Sequence, residues 1–331
     1  MVFNFFSRNH KTANIVIKDH VIRFIELKQL SPVVVSHYGE RFIPEGLIRD
    51  GKIIDRETLE TILEQCIEEW GIKRRNVRFV VPDQYVVIRT LQVPSDLHDD
   101  EIEGYLYIEL GSTIHLPFED PVFDILVTGD SRQSKTVLLF AAPEDIVMQY
   151  STLFEELKLK PIAADISPLC MYRLYHEIDH TKSKDHTMIL QFDQHMVNIS
   201  IFHHHKPVFM RHLSIDGAHD KWESQNTRTG NTEFKWIGEE NELLLSLLDT
   251  YKEIEHVMNF YRFSLNQGKE RVSRIFLCGD HPYLSTIYKE VKERSEVQVD
   301  TINSEHFTTS DGGLLDSNLH LALGLALKEV R

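Results

Sequence analysis

The sequence predicts a duplicated α/β fold, and three observations predict it. Ile15–Ile17 and Val21–Leu27 read as short strands folded at Lys18-Asp19-His20, with a third strand at Val33–Tyr38. Roughly 175 positions further on the pattern returns. There Met188–Phe192 turns at Asp193-Gln194-His195 into Met196–Phe202, and Val208–Arg211 follows as a third strand. Each meander is then followed by a periodic helix and one more strand.

In order along the chain, the opening segment places Val2, Phe3, Phe5 and Phe6 ahead of Arg8 and Lys11. Such a tip either lies on an anionic membrane face or docks its aromatics on the domain, and the second reading is favoured because so short an anchor binds weakly. After a turn at 46–52, Asp55 is the N-cap of a helix with Leu59, Ile62, Leu63, Cys66, Ile67 and Trp70 on one face and Gly71 at its end. A strand at Val77–Val81 closes at Pro82-Asp83. An inserted β-α-β-β-α module follows over about 84–160: strand Tyr85–Val93, helix Ser95–Leu110, strands Val122–Val127 and Thr136–Ala142, and a helix ending before Pro161. Ser167-Pro168 starts the helix that returns to the first half (1–178), and 179–187 has a linker's composition. In the second half (188–331), an insertion spans about 215–268. Its first part, 215–237, reads as loop, and 240–265 as one long helix. A buried strand at Arg274–Cys278, a helix from Leu284, a strand near Val297–Val299 and a terminal helix over 318–330 complete the chain. That last helix is apolar nearly all round, which predicts burial, and Gly324 predicts a close backbone approach.

The chain has 331 residues, is 42% hydrophobic and carries a formal charge of −15, which argues against wrapping nucleic acid. No apolar run approaches the roughly 18–20 uncharged residues of a membrane span. The opening lacks the order of a signal peptide. Cys66, Cys170 and Cys278 sit at apolar positions with no CxxC spacing and read as reduced core thiols. These features predict a soluble cytoplasmic protein. His203-His204-His205 suggests a metal patch, but neighbours on a strand point to opposite faces, and Lys206-Pro207 reads as the hairpin turn. Surface histidines are the better reading. No HExxH, Gly-x-Ser-x-Gly or Gly-rich phosphate fingerprint occurs.

Besides the two meanders, VRFVVPDQYVVIRTLQVP at 77–94, IFLCGDHPYL at 275–284 and LHLALGLALKEVR at 319–331 carry a closer likeness. Through them the chain resembles the PilM family, the actin-like, FtsA-related proteins of type IV pilus and competence machines. The resemblance implies an α/β, actin-like duplicated core of the ribonuclease-H type, shared with Hsp70 and sugar kinases, with a small inserted α/β subdomain. It further implies a scaffold at the cytoplasmic face of the cell membrane in a pilus, competence or type II secretion-like assembly. Membrane association would be peripheral, through the partner. That partner is a PilN-like bitopic membrane protein, whose short N-terminal tail is held between the first core and its insertion. Phe79, Val80, Val81, Pro82, Val87, Arg89 and Leu91 mark that region here. A pilus assembly ATPase and a platform protein are implied as further partners.

In the wider superfamily each meander begins with a strand ending Asp-x-Gly, the aspartate for magnesium and the glycine for close phosphate approach. Matching positions here hold Val16 and Lys18, then Gln191 and Asp193. A third motif keeps Gly279 but continues with Asp280 and His281. Valine cannot ligate a metal, and Asp193 opposes phosphate. With Asp19, His20, Arg23 and Gln194 these residues outline a degenerate nucleotide site. Lys18, His20 and Arg23 still attract anions. The expectation is a scaffold with no catalytic residue, no metal, no cofactor, and ATP/Mg binding weak or lost. The alternative is an actin-like ATPase or FtsA-like polymer former with an altered phosphate cradle.

Overall fold

The computed structural model describes residues 12–179, 184–215, 221–226, 232–302 and 306–328. The N-terminal aromatic tip, the centre of the expected linker and residues 329–330 of the expected last helix lie outside them.

The first meander is β1 (Thr12–Lys18), β2 (Val21–Leu30) and β3 (Val33–Phe42). A small hairpin, β4 (Ile48–Arg49) and β5 (Lys52–Ile53), turns at Asp50 and Gly51, whose φ angles are 49° and 69°. Asp55 then caps α1 (Arg56–Glu69) by accepting from the Thr58 amide at 3.1 Å. The chain continues through β6 (Asn76–Val80), β7 (Val87–Pro94), α2 (Ile102–Glu109), β8 (Pro121–Asp130), β9 (Ser134–Pro143), α3 (Glu144–Glu156), β10 (Lys160–Asp165) and α4 (Ser167–Asp179).

The second meander is β11 (Thr187–Phe192), β12 (Met196–His203) and β13 (Lys206–Ser214). A hairpin follows, β14 (Trp222–Asn226) with β15 (Thr232–Trp236), then α5 (Glu240–Asn259), which runs on as a π-helix over Phe260–Leu265. The last elements are β16 (Arg274–Gly279), α6 (Leu284–Arg294), β17 (Gln298–Thr301), β18 (Thr308–Thr309) and α7 (His320–Ala326).

The duplication is plain in the sheets. One runs β10-β6-β1-β2-β3 and the other β17-β16-β11-β12-β13, with the first strand of each meander central. In each, that strand pairs antiparallel with the next strand and parallel with the strand after the helix. The first sheet also gains β18, parallel to β3, from the far end of the chain.

Alternation along the strands sorts side chains into layers. Ile15, Ile17, Ile22, Phe24 and Phe79 face a core built with α1 and α3. Val16, Val35 and Val80 face the opposite way, into a core that also takes Ile189 and Phe276 from the second sheet. The helices of that middle layer are α4 and α7. The second sheet's outer face, with Leu190, Phe192, Ile199 and Leu277, packs on α5 and α6. This explains the all-round apolar α7: it lies between two sheets. Gly324 fits the same geometry, because a Cβ there would meet the Cys170 carbonyl oxygen at 2.2 Å.

Several expectations are corrected. The strand β10 is absent from the sequence reading because Pro161 interrupts it; as an edge strand it tolerates the missing N–H, with a register shift between Pro161 and Ala163. Assigned by sequence to the insertion, α3 instead sends Tyr150, Leu153 and Phe154 into the first core. The insertion's own core is smaller, Val93, Ile102, Leu106, Val137 and Leu139, under the sheet β7-β9-β8. Helix α2 starts at Ile102 rather than Ser95, since the Glu101 carboxylate accepts from the His98 amide at 2.9 Å and holds a turn. The stretch 215–237, expected as loop, contains β14 and β15, with Trp222 and Trp236 paired edge to face at 5.3 Å. The hairpin between β12 and β13 turns at His204-His205, with φ of 50° and 60°, not at Lys206-Pro207.

Candidate functional site

The two sheets point the ends of their central strands at each other, so the turns Lys18-Asp19-His20 and Asp193-Gln194-His195 meet across a cleft. The rings of His20 and His195 lie 6.5 Å apart at their centroids. Between the turns is a cavity of about 250 Å³, with a second of about 400 Å³ adjoining it through Asp19, His20, Asp50, Gln194 and His195.

A charge network spans the cleft. Lys18 Nζ lies 2.8 Å from Asp193 Oδ1 and 3.2 Å from Asp280 Oδ2. Arg23 also binds Asp280 Oδ2 through Nη1, while its Nε reaches Glu40 Oε2 at 2.6 Å. His20 Nε2 is 3.7 Å from the same Asp280 oxygen. The Gln191 amide donates to both oxygens of Asp193, at 3.0 and 3.2 Å. Beyond it, Asp83 joins three segments: it accepts from the Ser167 amide at 3.2 Å, from the Ser167 hydroxyl, and from Asn198 Nδ2 of the second half at 2.7 Å.

Burial and pairing set the protonation. Against the cost of burial, Lys18 and Arg23 hold the Asp280 carboxyl well below the usual carboxylate range. Burial likewise opposes the Lys18 ammonium, but Asp193 and Asp280 hold it above its ordinary value. At Asp193 burial wins, pushing the carboxyl up to about 7 against the pull of Lys18. Burial raises Asp83 as well and lowers His20.

Of the positions outlined for a nucleotide, Val16, Lys18, Asp19, His20, Asp193 and Gln194 line the first cavity, while Arg23 and Asp280 meet in the charge network beside it. Val16 is 2% exposed and offers only methyl groups at the cavity wall. Lys18 and Arg23 are already neutralised by carboxylates of the facing half. Gly279, at φ 123°, is required by packing: a Cβ there would meet the Phe192 carbonyl oxygen at 1.9 Å. His281 is buried among Trp222 and Tyr283 rather than open to a base. Val16 and Gln191 stand where the metal-holding aspartates of the superfamily would be, and Lys18 and Arg23 are each engaged by a carboxylate rather than held open for phosphate. Among the described residues no group of three or more His, Cys, Asp or Glu is placed to hold a metal ion. The histidine run is spent on ring contacts, with His203 stacked on His186 at 3.9 Å and His205 bonded to the Tyr172 hydroxyl at 2.9 Å.

The region marked for a partner tail divides in two. Phe79 lies in the first core, stacked near Tyr150 and tilted against Phe154. Val80, Val81 and Pro82 line the cavity between the halves. Val87, Arg89 and Leu91 stand on β7, which pairs with β9 along one edge and has no strand on the other among the described residues. The sequence reading missed Asp83 and Asn198 as the bridge between the halves. The available signal was an asparagine inside the apolar strand MVNISIF, where a polar group needs a partner.

Two equivalent sheets, facing turns and a cleft between them define an actin-like α/β protein. A family model described as type IV pilus assembly protein PilM matches residues 15–330, and the chain belongs to that family. Its structure is similar to one described as a PilM-PilN type IV pilus biogenesis complex, with a TM-score of 0.77 and 16% identity over 96% of this chain and 98% of that one. It is also similar to the ethanolamine utilization protein EutJ from Carboxydothermus hydrogenoformans, at TM-score 0.50 and 9% identity over 95% and 88% of the two chains. Among the described residues no helix is long and apolar enough to cross a membrane.

Proposed function

We propose that this protein is an adaptor of a type IV pilus or related assembly, acting at the cytoplasmic face of the membrane. It would hold the short tail of a PilN-like bitopic protein without turning over ATP. The observation that carries the reading is the Lys18–Asp193 and Arg23–Asp280 pairing, which engages these two cations across the cleft and makes the cleft a joint between the halves. Membership of the family and the likeness to a PilM-PilN complex support the partner. The edge of β7 away from β9, which has no paired strand among the described residues, supports the mode: an extended tail would gain main-chain hydrogen bonds there and side-chain contacts beside Val87 and Leu91.

Two measurements test this. Calorimetric titration with a synthetic tail peptide of the PilN type should give saturable binding, and no heat at high micromolar peptide would remove the adaptor reading. Millimolar Mg-ATP should leave the melting temperature unchanged, since only a ligand that binds the folded state raises it. A rise of several degrees would favour an ATP-binding actin-like protein instead.

A further inference from the structure

We propose that the cavity between the halves takes the side chain of a basic residue, lysine or arginine, from the partner's extended tail; this rests on the adaptor role above. The cavity wall is largely apolar, with Val16, Ile17, Val80, Val81, Pro82 and Leu321, and so suits the aliphatic stem of such a residue. Its charge is acidic. Asp19 and Asp50 stand on the wall, beside Asp83 and Asp193, whose carboxyls burial raises toward the neutral form. Among its described lining residues the sole ammonium, Lys18, is engaged by Asp193 and Asp280. Burial keeps His20 and His212 on the neutral side.

One buried acceptor on the wall lacks a donor. Gln194 lines both cavities and is 2% exposed, yet its Oε1 has no hydrogen-bond partner among the described residues. Gln191 Oε1 and Asp280 Oδ1, buried in the charge network rather than on the cavity wall, have none among the described residues either. A phosphate would add acceptors and negative charge to this wall. An ammonium or guanidinium brings donors only, and the positive charge the carboxylates want. Access follows the chain: Val80-Val81-Pro82 leads from the cavity through a short turn at Asp83–Tyr85 to Val87, where β7 begins.

The test is a calorimetric titration of the full chain with the PilN-type tail peptide, the same peptide with each Lys or Arg replaced in turn by Gln, and the variants Gln194→Met and Asp19→Asn. One neutralised peptide should bind about tenfold more weakly, as expected when a charge-assisted hydrogen bond is lost. That peptide should be indifferent to Gln194→Met and Asp19→Asn, whereas the unmodified peptide loses affinity for both, the signature of direct coupling. Equal binding by all neutralised peptides would overturn the proposal and leave the adaptor role intact. Failure of every peptide would remove the adaptor role, and a second probe then decides on the cavity. Butylguanidinium should raise the melting temperature of the parent chain but not of Gln194→Met; an equal rise in both, or none, overturns it.

Discussion

Asp280 receives Lys18, Arg23 and His20 on one carboxylate oxygen, although Arg23 and Asp280 each have only 3% of their side chains exposed. Such a pair is costly to break, because removal of one partner strands the other without water. Asp280→Asn should lower unfolding stability by about 3–5 kcal/mol in a denaturant titration. A loss under about 1 kcal/mol, the range of exposed pairs, would show that the network is solvated. The pH dependence has a definite sign. Asp280 is held below its unfolded value, so its contribution is present above about pH 4 and disappears as the pH falls through its folded value. Asp193 behaves oppositely: raised to about 7, it binds a proton in the folded state that the unfolded chain has released, so stability falls as pH rises from about 4 to 7. Asp193→Asn should flatten that part of a melting-temperature profile, and an unchanged slope would assign the titration elsewhere.

Two glycines control how elements meet. At Gly324 α7 crosses α4 so closely that Arg173 Nη1 reaches the Gly324 carbonyl at 2.6 Å, and an added methyl would strike the Cys170 backbone. Gly324→Ala should destabilise by about 1–3 kcal/mol, the usual cost of overpacking. Gly279→Ala should be worse, combining a left-handed φ with a clash against the Phe192 backbone, and soluble protein at parental yield would contradict the packing described. Gly324 was legible in the sequence, since a glycine inside an apolar helix implies a close neighbour. By contrast β10 was not: Lys160-Pro161-Ile162-Ala163-Ala164 has a proline and two small residues, and only pairing with β6 makes it a strand. The membership of α3 was equally hidden. Its apolar stripe announces a buried face but not which core covers it.

At the scale of the molecule, α4 and α7 form a layer that both sheets share. Neither half then has a complete core alone, and heat should unfold them in one transition. A chain ending at residue 316, without α7, should show no cooperative melt by calorimetry. A transition near that of the full chain would mean the halves are independent.

The sequence alone determined the repeat, both meanders, the helices with strong apolar periodicity, and the departure of the two turns from Asp-x-Gly, because each is written in local spacing or in the identity of one residue. Of the ten positions it outlined, Val16, Lys18, Asp19, His20, Asp193 and Gln194 line the cavity between the halves. Only the tertiary structure decided what those positions do. Whether Lys18 and Arg23 are free to hold an anion depends on carboxylates more than 170 residues away, and it is the facing of the two sheets that brings Asp193 and Asp280 onto them. Charge partners separated that far along a chain leave no periodic trace; proximity in space creates them, and burial then fixes their strength.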